Sequence, residues 1–256
     1  MNKTHRIVWS EARQTYVVAH ENAASSGKPS STRKGVVHAV AAALLALGAG
    51  QVFAAADICS GSGNKTISGV QTPGDYCRLT QPDSVLVTLG AAITGAGQAM
   101  FATYGVSAGA VVNQGEISGT SVGIFIASAA VDSGVTNSGL ISGHGGGIKG
   151  QNHAIITGGI VNTNSGTIKG MIAGSTTIQA YGISLNTSTI NGSITNSGLI
   201  SASATISGGT SAYAGTANAM GLANATVNGS IINSGTIVSS VIDLGSSNFG
   251  ASLNPL

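Results

Sequence analysis

A short motif, Asn-x-Gly flanked by Ile and Val, recurs five times between residues 109 and 237, and no other feature restricts the fold so tightly. Its copies are Gly109-Ala-Val-Val-Asn113-Gln-Gly-Glu-Ile117, Gly134-Val-Thr-Asn137-Ser-Gly-Leu-Ile141, Asn164-Ser-Gly-Thr-Ile168, Gly192-Ser-Ile-Thr-Asn196-Ser-Gly-Leu-Ile200 and Gly229-Ser-Ile-Ile-Asn233-Ser-Gly-Thr-Ile237. Each reads as a short strand, a turn and a second short strand. Asn tolerates left-handed backbone and Gly takes positive φ freely, so both suit the turn. A third apolar element lies between copies: Tyr104-Gly-Val106, Val122-Gly-Ile-Phe-Ile126, Gly146-Gly-Ile148, Tyr181-Gly-Ile-Ser-Leu185 and Met220-Gly-Leu222. The repeat-turn residues Asn113, Asn137, Asn164, Asn196 and Asn233 stand 24, 27, 32 and 37 residues apart. Periods of this size mark repeat architectures. The lengthening intervals read as loops inserted into a constant frame.

Three short strands per unit predict an all-β fold, a right-handed parallel β-helix (β-solenoid) of about five or more coils. Inward Ile and Val would form aliphatic rows, with Asn and Ser ladders at the corners. The composition suits this narrow core: 42% of residues are hydrophobic, but only 4% are aromatic and 39 are Gly. No stretch after residue 57 has sustained helical periodicity.

Residues 1–56 read as a cleaved leader. The apolar run 36–47, VVHAVAAALLAL, follows Lys28, Arg33 and Lys34 and precedes small residues. This is the layout of a secretory signal, with Ala54-Ala55-Ala56 as cleavage triplet and Asp57 as the first mature residue. A spanning helix needs roughly 20 strongly apolar residues, more than this run offers. Ahead of it stands MNKTHRIVWSEARQTYVVAHENAASSGK, longer than an ordinary signal requires. Through Met1, Asn2, Lys3, Arg6, Val8, Trp9, Ser10, Tyr16, Val17, Val18, Ala19 and Glu21, residues 1–28 resemble the extended signal peptide region of type V secretion proteins. His5 and Tyr16 replace residues common in that family. The resemblance implies passage through the general secretion pathway, then onward to the cell surface through an outer-membrane barrel. It also implies a β-helical passenger like those of autotransporters. Trimeric adhesins and two-partner exoproteins are the runners-up, although their further signatures are not visible.

The expected domains are the leader over residues 1–56, a disulfide-closed cap over 57–85 and solenoid repeats over 86–256. Within the leader, residues 1–28 form the extension and residues 29–56 the conventional signal. Cys59 and Cys77 are the only cysteines, and an exported chain with an even count favours a disulfide. Charge agrees with a leader. Residues 1–56 carry six basic residues against two acidic, while residues 57–256 carry four against six. The mature region has no basic patch, so nucleic-acid binding lacks electrostatic support.

Several motifs imitate chemistry. Gly105-Val-Ser107-Ala-Gly109 and Gly119-Thr-Ser121-Val-Gly123 fit the nucleophile-elbow pattern but lack its strand-to-helix turn. Gly145-Gly-Gly147-Ile-Lys-Gly150 fits a dinucleotide fingerprint without the helix that should follow. His144 and His153 are too few ligands for a closed metal site. The only aspartates of the repeats are Asp132 and Asp243, which argues against clustered carboxylate catalysis. The expectation is therefore a passenger without cofactor or catalysis; the resemblance to autotransporters is what implies an adhesin acting by binding to an unidentified surface ligand. The alternatives are an inactive truncated fragment and a surface enzyme with its active residues on a loop. No barrel pattern with aromatic girdles follows the repeats, so the chain as written is expected to stop in the periplasm without a separate translocator.

Overall fold

A computed structural model describes residues 54–80, 82–173, 179–205 and 217–239, and the backbone of four further short strands. Two of those, His5–Ser10 and Thr15–His20, form an antiparallel pair in the leader with Trp9 opposite Tyr16. Residues Met1–Val52 and Phe53–Leu256 are two separate compact units.

The second unit is a parallel β-helix. Each full coil contributes four strands, one more than the sequence predicts. In the second full coil these are Val111–Asn113, Glu116–Gly119, Val122–Ala127 and Ala130–Val131. Their equivalents in neighbouring coils pair in parallel, giving four long sheets, here A to D in the order in which a coil visits them. Five coils run from Val85–Val87 to Thr226–Val227, and Ile231–Asn233 and Thr236–Val238 begin a sixth. The fourth strand is only two residues long, and one of those points inward.

The core is a set of single-file columns. Sheet B stacks Ile93, Ile117, Ile141, Ile168 and Ile200, all fully buried. Sheet C stacks Met100, Ile124, Ile148, Ile183 and Met220. Sheet A stacks Val85, Val111, Val135, Ile160, Ile194 and Ile231, and sheet D adds Ala108, Val131, Ile156, Ile190 and Val227. Each buried Ile or Val contributes roughly 1.5–3 kcal/mol, so β-branched residues supply the core without aromatic bulk. Beside the sheet C column, Gly123, Gly147 and Gly182 leave the room that Ile141, Ile168 and Ile200 of sheet B occupy; a Cβ there would come within 2.9, 2.7 and 2.7 Å of an Ile methyl. Gly123 and Gly147, each part of a motif that imitates an enzyme's, are thus packing residues.

The Asn-x-Gly turns differ from expectation. None of Gly115, Gly139, Gly166, Gly198 or Gly235 has positive φ. A Cβ on Gly139 would overlap the carbonyl oxygen of Gly115, and Gly198 and Gly235 meet the same obstacle one coil back. Close approach of backbones, not left-handed conformation, demands glycine here. The Asn residues are strand ends with inward amides. Asn113 Nδ2 donates to Asn137 Oδ1 (2.8 Å), Asn137 to Asn162 (2.8 Å), Asn162 to Asn196 (2.7 Å) and Asn196 to Asn233 (2.7 Å). The third rung is Asn162, not Asn164, which is an exposed turn residue. This turn is two residues longer than its neighbours, so the true spacings are 24, 25, 34 and 37.

Left-handed backbone occurs instead at the corner between sheets C and D. Tyr104, Ser128, Asn152, His153, Thr187 and Asn224 all have φ between 48° and 65° there. The inserted residues of the later coils lie between sheets B and C. Strands Thr167–Ala173, Ala180–Asn186, Leu199–Thr205 and Ala217–Ala223 lengthen into them. Ile172, Ala180 and Ala202 then form a second small core.

Candidate functional site

The N-terminal end of the solenoid joins three sequence features. Strand Lys65–Ile67 belongs to sheet A and Cys77–Arg78 to sheet C, so the segment held by the cysteines is the first winding of the solenoid. Cys59 and Cys77 are disulfide-bonded with Cα atoms 4.9 Å apart, and both are fully buried. Cys77 stands in register with Met100. The disulfide therefore heads the sheet C column and closes it where no earlier coil exists.

Around it, Asp57 Oδ1 accepts the backbone N–H of Cys59 (3.1 Å) and of Arg78 (3.0 Å). Asp75, itself buried, accepts the N–H of Ala56 at 2.9 Å, and Ala56 O accepts from Tyr76 N at 3.0 Å. Of the expected cleavage residues, Ala54 and Ala56 are exposed, yet the backbone of Ala56 is built into the first winding. The apolar run 36–47, Asn2 and Glu21 lie outside the described residues; Arg6, Trp9 and Tyr16 fall on the two leader strands.

The outer face of sheet C carries a group that the repeat motif alone does not single out. Every aromatic residue whose side chain is described lies on this sheet or at its strand ends: Tyr76, Phe101, Tyr104, Phe125 and Tyr181. Arg78, Phe101, Phe125 and Lys149 occupy successive positions of one outward row. The Arg78 guanidinium lies over the Phe101 ring, 5.5 Å from its centroid, and the Tyr76 ring is 5.4 Å from Phe101. None of the six strands of this sheet contains Asp or Glu. A sequence signal existed: Phe101, Phe125 and Lys149 are spaced by 24, the distance between Asn113 and Asn137.

The imitators of catalysis are dispersed. Ser107 lies on the sheet D strand Ser107–Ala108 and donates to Asp132 Oδ2; Ser121 is at the corner between sheets B and C. His144 and His153 flank Gly146–Gln151 at opposite corners. Among the described residues, no group of three or more His, Cys, Asp or Glu could hold a metal ion. No described helix is long and apolar enough to cross a membrane.

Residues 1–50 match the family model of the Extended Signal Peptide of Type V secretion system. The match continues past residue 28 through the whole apolar run 36–47. The chain thus carries a type V secretion signal, and the parallel sheets behind it fit a β-helical passenger. That signal marks the chain for the type V route, across the inner membrane and on towards the surface or the medium. No curated protein and no solved structure matches it.

Proposed function

We propose that the solenoid is the displayed region of the protein and acts as an adhesin, by binding rather than by catalysis. The observation that carries this reading is the type V signal followed by a solenoid of four long parallel sheets. An outer-membrane barrel is the partner that takes it from the periplasm to the surface. Support for binding over catalysis comes from the acids near the capped end. Asp57 and Asp75 each commit Oδ1 to backbone amides. The two described histidines stand a strand apart and share no site.

The test is made in the bacterium that produces the protein. Protease is added to intact cells with a periplasmic marker as control, and adherence is compared with that of a strain lacking the chain. The expected result is digestion of the mature solenoid and a fall in adherence. A protected solenoid, or unchanged adherence, overturns the proposal.

A further inference from the structure

We propose that the outer face of sheet C is a binding site for an acidic polysaccharide, lying along the solenoid axis over Arg78, Phe101, Phe125 and Lys149. This inference rests on the reading of the protein as a binding module and names the surface and ligand class.

Three observations converge. The first is concentration: a chain with 4% aromatic residues places every described aromatic side chain of its solenoid on or beside one of four sheets. Core demand does not explain this. Phe101 and Phe125 point outward and are half-buried, while the inward column beside them is Met100, Ile124 and Ile148. The second is charge. Arg78 and Lys149 bracket the two rings, and no strand of the sheet supplies an acid, although residues 57–256 carry more acidic than basic residues. The third is rigidity. Arg78 is held at its backbone by Asp57 and at its guanidinium by the Phe101 ring.

The chemistry of the ligand follows. Flat rings take the apolar C–H faces of sugar rings. A guanidinium and an ammonium take carboxylate or sulfate oxygens in charge-assisted hydrogen bonds. Successive rows rise by about 4.8 Å per coil, so the two cations are roughly 14 Å apart. That rise is close to the advance of one sugar ring along a polysaccharide. A chain with anionic groups at intervals can therefore meet both cations while a sugar ring covers Phe125, Phe101 serving to hold the Arg78 guanidinium in place. Uronic acids and sulfated sugars share this chemistry.

Affinity electrophoresis of the exported, processed protein tests it, in gels containing polygalacturonate, dextran sulfate or neutral dextran. Retardation by one or both charged polymers and not by dextran is expected, and the polymer that retards identifies carboxylate or sulfate as the recognised group. Phe125→Leu, which keeps apolar volume but loses the ring, and Lys149→Ala should each weaken retardation by about threefold or more. Lys65→Ala, which removes the same charge from sheet A, should leave it unchanged. No retardation by either charged polymer, or an equal loss in Lys65→Ala, overturns the site. Adherence of cells carrying Phe125→Leu is measured in parallel. Full adherence with no polymer binding refutes this site and leaves the adhesin reading standing, whereas absent adherence of the wild type refutes that reading itself.

Discussion

Val87 stands in register with Asn113, and Asn113 Oδ1 is the one buried side-chain nitrogen or oxygen among the described residues without a hydrogen-bond partner. The amide ladder points one way: each Nδ2 donates to the Oδ1 of the following coil. Its first oxygen therefore has only an apolar neighbour. Val87→Asn should extend the ladder by one rung, its Nδ2 reaching Asn113 Oδ1. A gain of about 1 kcal/mol is expected in urea unfolding, because a lone buried acceptor costs about 1–3 kcal/mol. An equal or lower midpoint would show that the pocket around Val87 does not admit an amide.

The corrected register makes a paired prediction. Asn162→Ala removes a rung: it leaves the buried Asn196 Oδ1 without its donor and takes one acceptor from Asn137 Nδ2, which keeps Gly139 O and Thr167 O, so a loss of about 2 kcal/mol is expected. Asn164→Ala changes an exposed turn residue and should cost less than about 0.5 kcal/mol. Thermal melts of the two variants check this, and the reverse order would restore Asn164 to the ladder.

Much of this was legible in the sequence, and the gaps have physical causes. The Ile and Val columns of sheets A to C declare themselves because one inward residue recurs beside a glycine turn. The sheet D strands, such as Ala130–Val131 and Thr189–Ile190, have one inward residue each, too little for any periodic signal. Asn164 drew the register away from Asn162 because Asn-Ser-Gly is the stronger local pattern. Pairing of Ile160 with Ile194 and Ile168 with Ile200 overrides it, and that pairing is a property of neighbouring coils. The sheet C row emerges only when the period is applied to residues outside the repeat motif.

The left-handed corner offers a stabilising change. Thr187 has φ +48°, a conformation that a β-branched residue adopts at a cost, while Asn224 occupies the same corner one coil on. Thr187→Gly should raise stability by about 0.5–1 kcal/mol, read as a higher unfolding midpoint. A lower midpoint would mean that the Thr187 hydroxyl bond to Asn186 Oδ1 outweighs the strain.

The disulfide should act locally. Cys77→Ser removes a cross-link worth about 3 kcal/mol in the chain-entropy model and exposes the head of the sheet C column. Amide exchange is expected to quicken from Ala56 to Leu79 and to stay slow from Ile141 onward, since solenoid contacts are with nearest neighbours. Uniform loss of protection would show one cooperative unit instead.

The junction predicts a dependence on the processing position. A mature chain beginning at Asp57 lacks the Ala56 amide that meets Asp75 and the carbonyl that meets Tyr76; one beginning at Ala55 keeps both. Melts of the two forms should differ by about 1–2 kcal/mol in favour of Ala55. N-terminal sequencing of exported protein then shows which form the cell makes, and an intact Met1 would refute processing altogether.

The ladder and the lengthened strands divide the molecule into regions with opposite tolerances. At the Asn corner, glycine after glycine lies against the backbone of the preceding coil, and added bulk there would force coils apart. Between sheets B and C, chain has been added twice. Each time the frame kept its register and the addition acquired apolar packing of its own around Ile172, Ala180 and Ala202. One edge of the solenoid thus keeps the count of coils while the other is free to grow. Lengthening those strand pairs further would change what the chain presents to its surroundings without re-solving the problem of how to fold.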